Sequence, residues 1–319
     1  MTDPRDRAPA MTSPTTLTAA AEPVVTLEDA SFSYGASTVL TGVNGRVPAG
    51  QALALVGPNG SGKTTLMQIL GGLLPPSSGN VSLCGTEVSS NDLLGYSIVV
   101  SSDRDFDNSS ASAMVAYAAL RTTWDQTLFD RYVQRFSFQL KGRKTLSKMS
   151  SGQAAILAGA VALASGAPIT VLDEIQAPMD VPTRYAFYEE LLTLASDSME
   201  GRRPRRAFLV SSHMVSELEN VAEDVVALKN GRLLAHESVD EFTSRIRAIT
   251  GNAADVERFL VDRSDIAVIT SRALGSAREV IVDLRGCGVT DHEIASRSLT
   301  SSPCSFQDAF AYLIQENDQ

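Results

Sequence analysis

One eight-residue segment, Gly57–Thr64, limits the possible folds of this chain more than any other part of its sequence. It reads Gly-Pro-Asn-Gly-Ser-Gly-Lys-Thr and fits the pattern G-x-x-x-x-G-K-[S/T], whose backbone N–H groups cradle phosphate groups. The apolar run Gln51–Val56 before it predicts a strand, and the residues from Lys63 to about Leu73 predict a helix. A chance glycine-rich turn would need neither neighbour, so this setting favours a phosphate-binding site.

The residues of this loop have distinct predicted roles. Lys63 is expected to reach the β- and γ-phosphates of a nucleoside triphosphate, and the Thr64 hydroxyl to bind Mg²⁺. The glycines allow N–H groups to approach phosphate oxygen atoms closely, and the N-terminus of the following helix attracts the same anion. The predicted nucleotide-binding residues of this region are Gly57, Pro58, Asn59, Gly60, Ser61, Gly62, Lys63, Thr64 and Thr65.

A second predicted strand ends in two carboxylates. The run Ile169–Leu172 is apolar, and Asp173 and Glu174 follow it directly. Because ligands bind at the carboxyl ends of parallel strands, both acids are expected beside the phosphate loop. Asp173 is predicted to hold Mg²⁺ through water, and Glu174 to orient or deprotonate the attacking water. The alternative, an acidic cap of the next helix, is less favoured once the phosphate loop is present.

Five further features resemble motifs of the ABC ATPases and follow the order of that family. They are Tyr34, where the family stacks an aromatic ring on adenine; Met149–Gln153, in place of the signature sequence; Ala177–Asp180, in place of the D-loop; Leu209–His213, the switch strand with its histidine; and Leu228–Arg232, the hairpin that usually follows. The resemblance covers about Val24 to Phe242. Five motifs together are far more specific than the phosphate loop alone.

The resemblance implies a P-loop NTPase of the ABC type. Its fold is α/β, with a mostly parallel core sheet, an N-terminal antiparallel β region, an inserted helical subdomain and a small C-terminal appendix. The expected cofactors are ATP and Mg²⁺, with Glu174 and His213 as catalytic residues, His213 contacting the γ-phosphate. The residues expected to face an ATP held by another subunit are Ser150, Ser151, Gly152, Gln153 and Asp180.

Three regions are predicted along the chain. Residues 1–22, rich in Thr, Ala, Pro and charge, are expected to form a flexible tail without a signal peptide. Residues 23–244 form the ABC ATPase domain, with a helical subdomain at about 104–164, and residues 245–319 form the appendix. In the appendix a strand is predicted at Glu279–Leu284 and a helix at Ser305–Ile314. The start of that helix resembles the terminal helix of bacterial exporter ATPases; a simple packing or dimerising role is the favoured interpretation.

The net charge and the apolar runs of the sequence restrict the classes of partner that this chain can be expected to bind. The 37 acidic and 27 basic residues give a formal net charge of −10, which disfavours binding to nucleic acid. The basic run Arg202–Arg206 is predicted to be a solvated loop. The uncharged stretch between Lys148 and Asp173 is interrupted by Ser165–Pro168, so it does not predict a membrane span. The three cysteines have no metal-ligand spacing and are expected to be reduced thiols.

One set of motifs and no predicted span imply a cytoplasmic subunit, peripheral on the inner face of the cell membrane. Its expected partners are a transmembrane permease subunit and a second ABC ATPase domain, in a homodimer or heterodimer that drives transport, more specifically export. Two alternatives stay open: a soluble ABC ATPase that acts on translation or DNA, and a low-activity nucleotide-binding partner of a second ATPase.

Two departures from the family pattern bear on these alternatives. After the predicted strand Tyr96–Val100 the family usually has a glutamine that senses Mg²⁺, whereas here Ser101 and Ser102 follow. After Glu174 the chain has Ile175-Gln176, where Pro-Thr is common. Both changes could slow hydrolysis, but the lysine, the acidic pair and the histidine are retained.

Overall fold

The computed structural model describes residues 23–88, 95–102, 110–138 and 146–316. Its strands are β1 (Pro23–Tyr34), β2 (Ser37–Pro48), β3 (Ala52–Val56), β4 (Ser78–Leu83), β5 (Thr86–Glu87), β6 (Ser97–Ser101), β7 (Ile169–Asp173), β8 (Ala207–Ser211), β9 (Asp224–Lys229), β10 (Arg232–Ser238), β11 (Ile246–Asn252), β12 (Ala267–Leu274), β13 (Ala277–Asp283) and β14 (Thr300–Pro303). Its α-helices are α1 (Lys63–Leu70), α2 (Ala111–Ala118), α3 (Gln126–Arg135), α4 (Ser151–Ala164), α5 (Val181–Met199), α6 (Val215–Leu218), α7 (Val239–Arg245), α8 (Ala253–Asp262), α9 (Asp291–Ser296) and α10 (Phe306–Glu316).

The central sheet has six strands in the order β10-β9-β3-β8-β7-β6. The five strands from β9 to β6 pair in parallel, and β10 closes one edge in an antiparallel hairpin. Every residue of β3, β7 and β8 is buried, as expected for parallel strands that are covered on both faces. The carboxyl ends of these three strands therefore meet at one edge of the sheet, where the phosphate loop and the two acids begin.

The N-terminal region forms an antiparallel sheet in the order β2-β1-β4-β5, as predicted. Its apolar side packs with α1 and one face of the central sheet around Leu40, Leu66 and Leu209. Helix α1 ends at Leu70 rather than Leu73, because the left-handed Gly72 (φ 70°) turns the chain away. This sheet thus supports the helix that follows the phosphate loop.

The described residues between β6 and β7 include the three α-helices α2, α3 and α4. Helix α4 is apolar almost all round, which is why ten of its fourteen residues are buried. The ends of the predicted subdomain at about 104–164 stay a prediction, because residues 103–109 and 139–145 lie outside the described residues. Within the four described ranges, no helix combines the length and the apolar content needed to cross a bilayer.

The prediction that Arg202–Arg206 is a solvated loop is wrong for its last residue. Arg202 and Arg205 are exposed, but Arg206 is 3% exposed. The Arg206 guanidinium donates to the carbonyl oxygens of Leu163 (2.8 Å), Ala167 (3.1 Å) and Ala162 (3.3 Å) and to the hydroxyl of Thr170 (3.1 Å). Burial lowers the pKa of Arg206 to about 10. This side chain ties the end of α4 to β7, because the last carbonyl groups of a helix attract cations.

The C-terminal part forms a third sheet with the antiparallel order β12-β13-β11-β14. With α8 and α9 it has the βαββαβ arrangement of a split βαβ fold. One face packs against these helices around Ile249, Val256 and Phe259, and α10 packs on β12 and α7. The predicted strand and terminal helix correspond to β13 and α10, whereas β11, β12 and β14 were not predicted individually. The predicted boundary at residue 245 stays a prediction.

Candidate active site

The phosphate loop connects β3 to α1 and depends on its glycines. Gly60 (φ 76°) and Gly62 (φ 100°) have left-handed backbones, which glycine adopts most easily. A Cβ atom on Gly57 would lie 2.5 Å from the Ser61 Oγ, and one on Gly62 would lie 2.7 Å from a methyl carbon of Leu40. Gly62 caps α1 without a side-chain hydrogen bond to the first turn. The loop therefore presents backbone N–H groups at a helix N-terminus, the geometry that binds phosphate.

Lys63 lies partly buried across this loop. Its Nζ donates to the carbonyl oxygens of Gly57 (2.8 Å) and Pro58 (3.1 Å). Burial lowers the pKa of Lys63, while the negative charges of Glu174 and Asp173 act in the opposite direction. The structure therefore brings the predicted lysine and both predicted acids within electrostatic reach of one another.

Another loop residue, Ser61, indicates that an anion fits here. The Ser61 side chain is 2% exposed, and its Oγ has no hydrogen-bond partner in the described chain. A buried hydroxyl without a partner is costly unless a ligand satisfies it. Thr64 is exposed in the first turn of α1, whereas Thr65 is buried and faces the core. Asn59, like Gly60, is exposed at the tip of the loop. The donor set fits a phosphate group.

Asp173 and Glu174 are both held by a serine on the neighbouring strand. Asp173, the last residue of β7, is 7% exposed and accepts a hydrogen bond from the Ser211 Oγ (2.6 Å). The N–H of Glu174 donates to the same Oγ (3.1 Å). Ser211 belonged to the predicted switch strand but had no predicted role of its own. Its position opposite Asp173 follows from the register of β7 and β8, which cannot be read from the sequence.

His213 lies next to Glu174 in the same chain. Its Nε2 is 2.7 Å from the Glu174 Oε2, and the histidine side chain is 61% exposed while the glutamate side chain is 18% exposed. The two predicted catalytic side chains are thus in direct contact, with the histidine on the solvent side.

Tyr34 and the β9–β10 hairpin flank the loop region. The Tyr34 ring is 52% exposed at the end of β1 and packs edge-on against Phe32, with ring centroids 4.8 Å apart. Gly231, in the hairpin turn, donates its N–H to the Ser61 carbonyl oxygen (3.1 Å) and accepts from the N–H of Thr41 (2.8 Å). The hairpin, which had no predicted role in the site, therefore supports the phosphate loop and joins it to β2.

The signature residues form the N-terminus of α4. Ser150 and Gln153 make a reciprocal capping box, with hydrogen bonds of 3.2 Å and 3.3 Å. The side chains of Ser150, Ser151 and Gln153 are exposed. A Cβ on Gly152 would lie 2.9 Å from the Pro178 carbonyl oxygen. In the described chain, the contacts we find for these residues are with one another and with the D-loop, not with Lys63.

Asp180 ends the D-loop and begins α5. Its carboxylate accepts from the N–H of Thr183 (2.9 Å), and this backbone hydrogen bond lowers the pKa of the exposed aspartate. The residue is therefore an N-cap in this chain, and its predicted contact with a second subunit's ATP stays a prediction.

The two departures from the family pattern have different outcomes. Ser102 donates its N–H to the Asp173 carbonyl oxygen (3.1 Å), but residues 103–109 lie outside the described residues, so the effect of the missing glutamine stays open. Gln176 is 1% exposed, and its Nε2 donates to the Ser211 carbonyl oxygen (2.8 Å). The unusual glutamine is thus part of the site.

Known proteins are similar to this chain in sequence and in fold. Residues 40–177 match the family model of the ABC transporter. The ATP-dependent lipid A-core flippase of Cupriavidus pinatubonensis is 32% identical over 232 residues, which are 67% of this chain and 38% of the flippase. The daunorubicin resistance ATP-binding protein DrrA3 of Streptomyces coeruleorubidus is 25% identical over 290 residues, which are 88% of this chain and 84% of that protein.

A solved ATP-binding subunit of an ABC transporter has the same fold. It superposes with a TM-score of 0.61 at 21% identity and covers 69% of this chain and 92% of its own. The predicted α/β P-loop fold is therefore confirmed. This chain spans 38% of the length of the flippase it matches, so that likeness concerns one part of a longer protein. The family model, the relatives and the fold agree with the order of the motifs, and the chain belongs to the ATP-binding proteins of the ABC transporter family.

Proposed function

We propose that this chain binds and hydrolyses ATP to drive transport through a separate membrane subunit. One observation carries the proposal: Lys63, both acids and His213 converge where β3, β7 and β8 end. A cation beside a phosphate cradle binds a triphosphate, and a carboxylate held by histidine can orient or deprotonate water. This combination suits phosphoryl transfer to water better than nucleotide binding alone.

The proposed chemical roles are supported by the positions of these side chains. The Lys63 ammonium leaves its two carbonyl partners and neutralises the β- and γ-phosphates. Glu174 positions the attacking water, while His213 fixes its carboxylate and reaches toward the γ-phosphate. Mg²⁺, held by the Thr64 hydroxyl and by Asp173, would supply positive charge to the phosphate oxygen atoms. The exposed Tyr34 ring offers a stacking surface for adenine.

A second ABC ATPase domain completes the proposed site. The exposed N-terminus of α4 offers its positive dipole end, and the N–H groups that the capping box of Ser150 and Gln153 leaves unused, to the γ-phosphate of an ATP bound to another subunit. Gly152 lies against the Pro178 carbonyl oxygen of the D-loop, and we propose that Asp180 and the exposed Val181 and Tyr185, which follow this loop, extend the contact. ATP would thus join two domains and hydrolysis would release them, whether the mate is identical or different.

The proposed membrane partner has a candidate docking surface on α2. This helix is strongly apolar, yet only Ala111 and Ala118 are buried. Tyr117 is 76% exposed, and Leu120, just after the helix, is 77% exposed. Large apolar side chains grouped in this way mark interaction sites. We assign this surface to the permease and place the subunit on the cytoplasmic face of the membrane. Export is the proposed direction, because the Nod factor export ATP-binding protein I of Neorhizobium galegae is 28% identical to this chain over 220 residues.

The proposed regions of the chain are those predicted from the sequence: a tail at 1–22, the ATPase domain at 23–244 with its helical subdomain, and the appendix at 245–319. Packing of the appendix on the ATPase domain through α10 supports a structural role for it.

Two variants test the reaction. Lys63→Ala is expected to abolish tight ATP binding, because the phosphates lose their only counter-charge from the loop. Glu174→Gln is expected to keep ATP binding, to trap an ATP-bound dimer and to lower turnover by about 10²–10⁴-fold, because amides are poor bases. Phosphate release, nucleotide affinity and dimer mass are measured on the purified chain. Full turnover by Glu174→Gln would contradict the role of this carboxylate.

The low-activity alternative has one specific observation in its favour, the absence of glutamine after β6. A wild-type chain that binds ATP tightly but releases phosphate no faster than Glu174→Gln would support it, and would indicate a second, more active ATPase subunit.

A further inference from the structure

Ser211 is the centre of a small hydrogen-bond network beneath the two acids. It is completely buried and is the last residue of β8. Its Oγ contacts the Asp173 Oδ1 at 2.6 Å and the N–H of Glu174 at 3.1 Å, and its carbonyl oxygen accepts from the Gln176 Nε2 at 2.8 Å. A single residue of β8 thus contacts the last residue of β7 and two residues of the segment that follows it.

The direction of these hydrogen bonds is fixed by chemistry. The N–H of Glu174 can only donate, so the Ser211 Oγ accepts from it. The hydroxyl proton of Ser211 then remains for the Asp173 carboxylate, which can only accept while it is ionised. The result is a polarised chain that runs from Glu174 through Ser211 to Asp173, and each bond strengthens the other.

Glu174 needs this support because its backbone is strained. Its φ of 55° lies in the left-handed region, which is unfavourable for a residue with a Cβ atom. Such a conformation persists only where the surrounding structure fixes it. The acceptor offered by Ser211 is the contact that meets the Glu174 N–H in this conformation.

Gln176 holds Ser211 from the other side. Its side chain is 1% exposed, and its Oε1 has no hydrogen-bond partner in the described chain. The reverse orientation of the amide would place two oxygen atoms against each other, so the carbonyl of Ser211 selects the present one. The backbone of Gln176 lies in the turn after Glu174, where the N–H of Ala177 donates to the Glu174 carbonyl oxygen (3.0 Å). Through Ser211, Gln176 is therefore linked by hydrogen bonds to Asp173 and to the strained Glu174 itself.

We infer that Ser211 and Gln176 are positioning residues that hold the Glu174 carboxylate in its reactive place. The inference rests on the proposed function, because it assigns to both residues an effect on ATP turnover. Neither residue needs to touch the nucleotide; both act through the backbone of Glu174. A buried glutamine that leaves one of its own oxygen atoms without a partner is a poor choice for stability alone.

The decisive variant is Gln176→Met, which keeps the volume but removes both the donor and the oxygen atom that lacks a partner. The melting temperature of this variant is expected to change little, because removal of the unpaired oxygen atom offsets the donor that the Ser211 carbonyl oxygen loses. Its kcat for ATP is expected to fall roughly tenfold to a hundredfold with little change in KM, because displacing a reacting group by about 1 Å can cost 10²-fold. Ser211→Ala is expected to show the same fall in kcat, and Ser211→Thr, which keeps the hydroxyl, is expected to recover part of it.

The control is Ser165→Ala. Ser165 is also completely buried and donates to the Ala162 carbonyl oxygen (2.7 Å) at the far end of α4. Its loss is expected to lower the melting temperature while leaving kcat within about twofold of wild type. Equal kcat values for wild type, Gln176→Met and Ser211→Ala would overturn the inference while leaving the proposed ATPase function intact.

A second measurement does not depend on turnover. Hydrogen exchange of a peptide spanning residues 172–178 is expected to be faster in Ser211→Ala and Gln176→Met than in wild type, and unchanged in Ser165→Ala. Unchanged exchange in the first two variants would overturn the inference even if the wild-type chain hydrolysed no ATP. A wild-type chain that neither binds nor hydrolyses ATP would instead refute the proposed function.

Discussion

Arg206 is an unusual residue, because it carries a guanidinium group into the core. Its hydrogen-bond partners in the described chain are three carbonyl oxygens and one hydroxyl, all uncharged. Burial lowers its pKa to about 10, so the group is still charged at neutral pH. The favourable alignment with the end of α4 offsets part of the cost of burying this charge. Since α4 begins with the signature residues, Arg206 fixes the far end of the helix that the proposed dimer uses.

Replacing Arg206 by methionine is expected to lower the free energy of unfolding by about 3 kcal/mol, since buried carbonyl oxygens that lose their donors cost roughly 1–3 kcal/mol each. Urea denaturation measures the effect. The control is Arg202→Ala, whose exposed ion pairs with Asp197 and Glu200 are worth less than about 1 kcal/mol. Equal urea midpoints for the two variants would show that the Arg206 contacts do not stabilise the fold.

At the scale of elements, one buried arginine lies at the joint between the ATPase core and the C-terminal sheet. Arg245, at the end of α7, is 8% exposed and pairs with Glu237 of β10 (2.8 Å) and with Asp283 of β13. The hydrogen bonds to these two carboxylates raise the pKa of Arg245 further above its already high ordinary value. The arginine therefore joins two sheets through charges that are largely removed from water.

Arg245→Met is expected to destabilise the protein by about 3–5 kcal/mol, because two largely buried carboxylates lose their buried cation and keep the exposed Arg285 guanidinium, 3.8 Å from each, as a weaker partner. The double variant Arg245→Met with Asp283→Asn is expected to recover part of this loss. Thermal unfolding and limited proteolysis near residue 246 report the effect. The exposed pair between Arg258 and Asp255 on α8 provides a control, and Arg258→Ala is expected to be nearly neutral. A stable, protease-resistant Arg245→Met protein would refute this account of the joint.

The sequence predicts some elements well because their signal is local. Strands β3 and β7 are apolar runs that end in distinctive residues, so the loop, Lys63 and both acids could be placed together from the sequence alone. Strand β14 has only four residues, mostly polar and partly exposed, and its pairing with β11 joins residues about fifty positions apart. Neither periodicity nor composition marks such a strand. The same reason applies to Ser211, whose role depends on strand register.

Gln176 and Arg206 illustrate a different limit. Both are polar residues in segments that resemble solvated turns, and the sequence contains no sign that either is buried. Their burial follows from carbonyl groups of distant residues that need donors, Ser211 for the glutamine and the end of α4 for the arginine. Carbonyl oxygens that need a donor can be identified only from the three-dimensional course of the backbone.

For the whole molecule, the apolar surface on α2 is the part of the described exterior most directly connected with the proposed membrane partner. Tyr117→Glu combined with Leu120→Glu is expected to reduce strongly the fraction of the protein that sediments with membranes of its own cells, because charges oppose burial of this surface. ATP turnover of the purified variant is expected to stay within about twofold of wild type.

The matched control for this experiment is Val261→Glu on α8, at a valine that is 73% exposed on the C-terminal unit. It adds charge elsewhere and is expected to leave sedimentation unchanged. If the double variant sedimented as wild type does, the docking surface would have to lie elsewhere. Co-sedimentation with ribosomes instead of membranes would favour the soluble alternative.

The contact between α10 and the central sheet limits which parts of this protein could be exchanged with those of a related protein. Lys229 of β9 is 5% exposed and donates to the Ile314 carbonyl oxygen of α10, while the next turn of the same hairpin holds the phosphate loop through Gly231. Helix α10 is thereby joined to the same hairpin that supports the phosphate loop. A hybrid chain that took residues 245–319 from a related protein would place a mismatched contact beside the support of the phosphate loop, unless Lys229 and α10 were exchanged together.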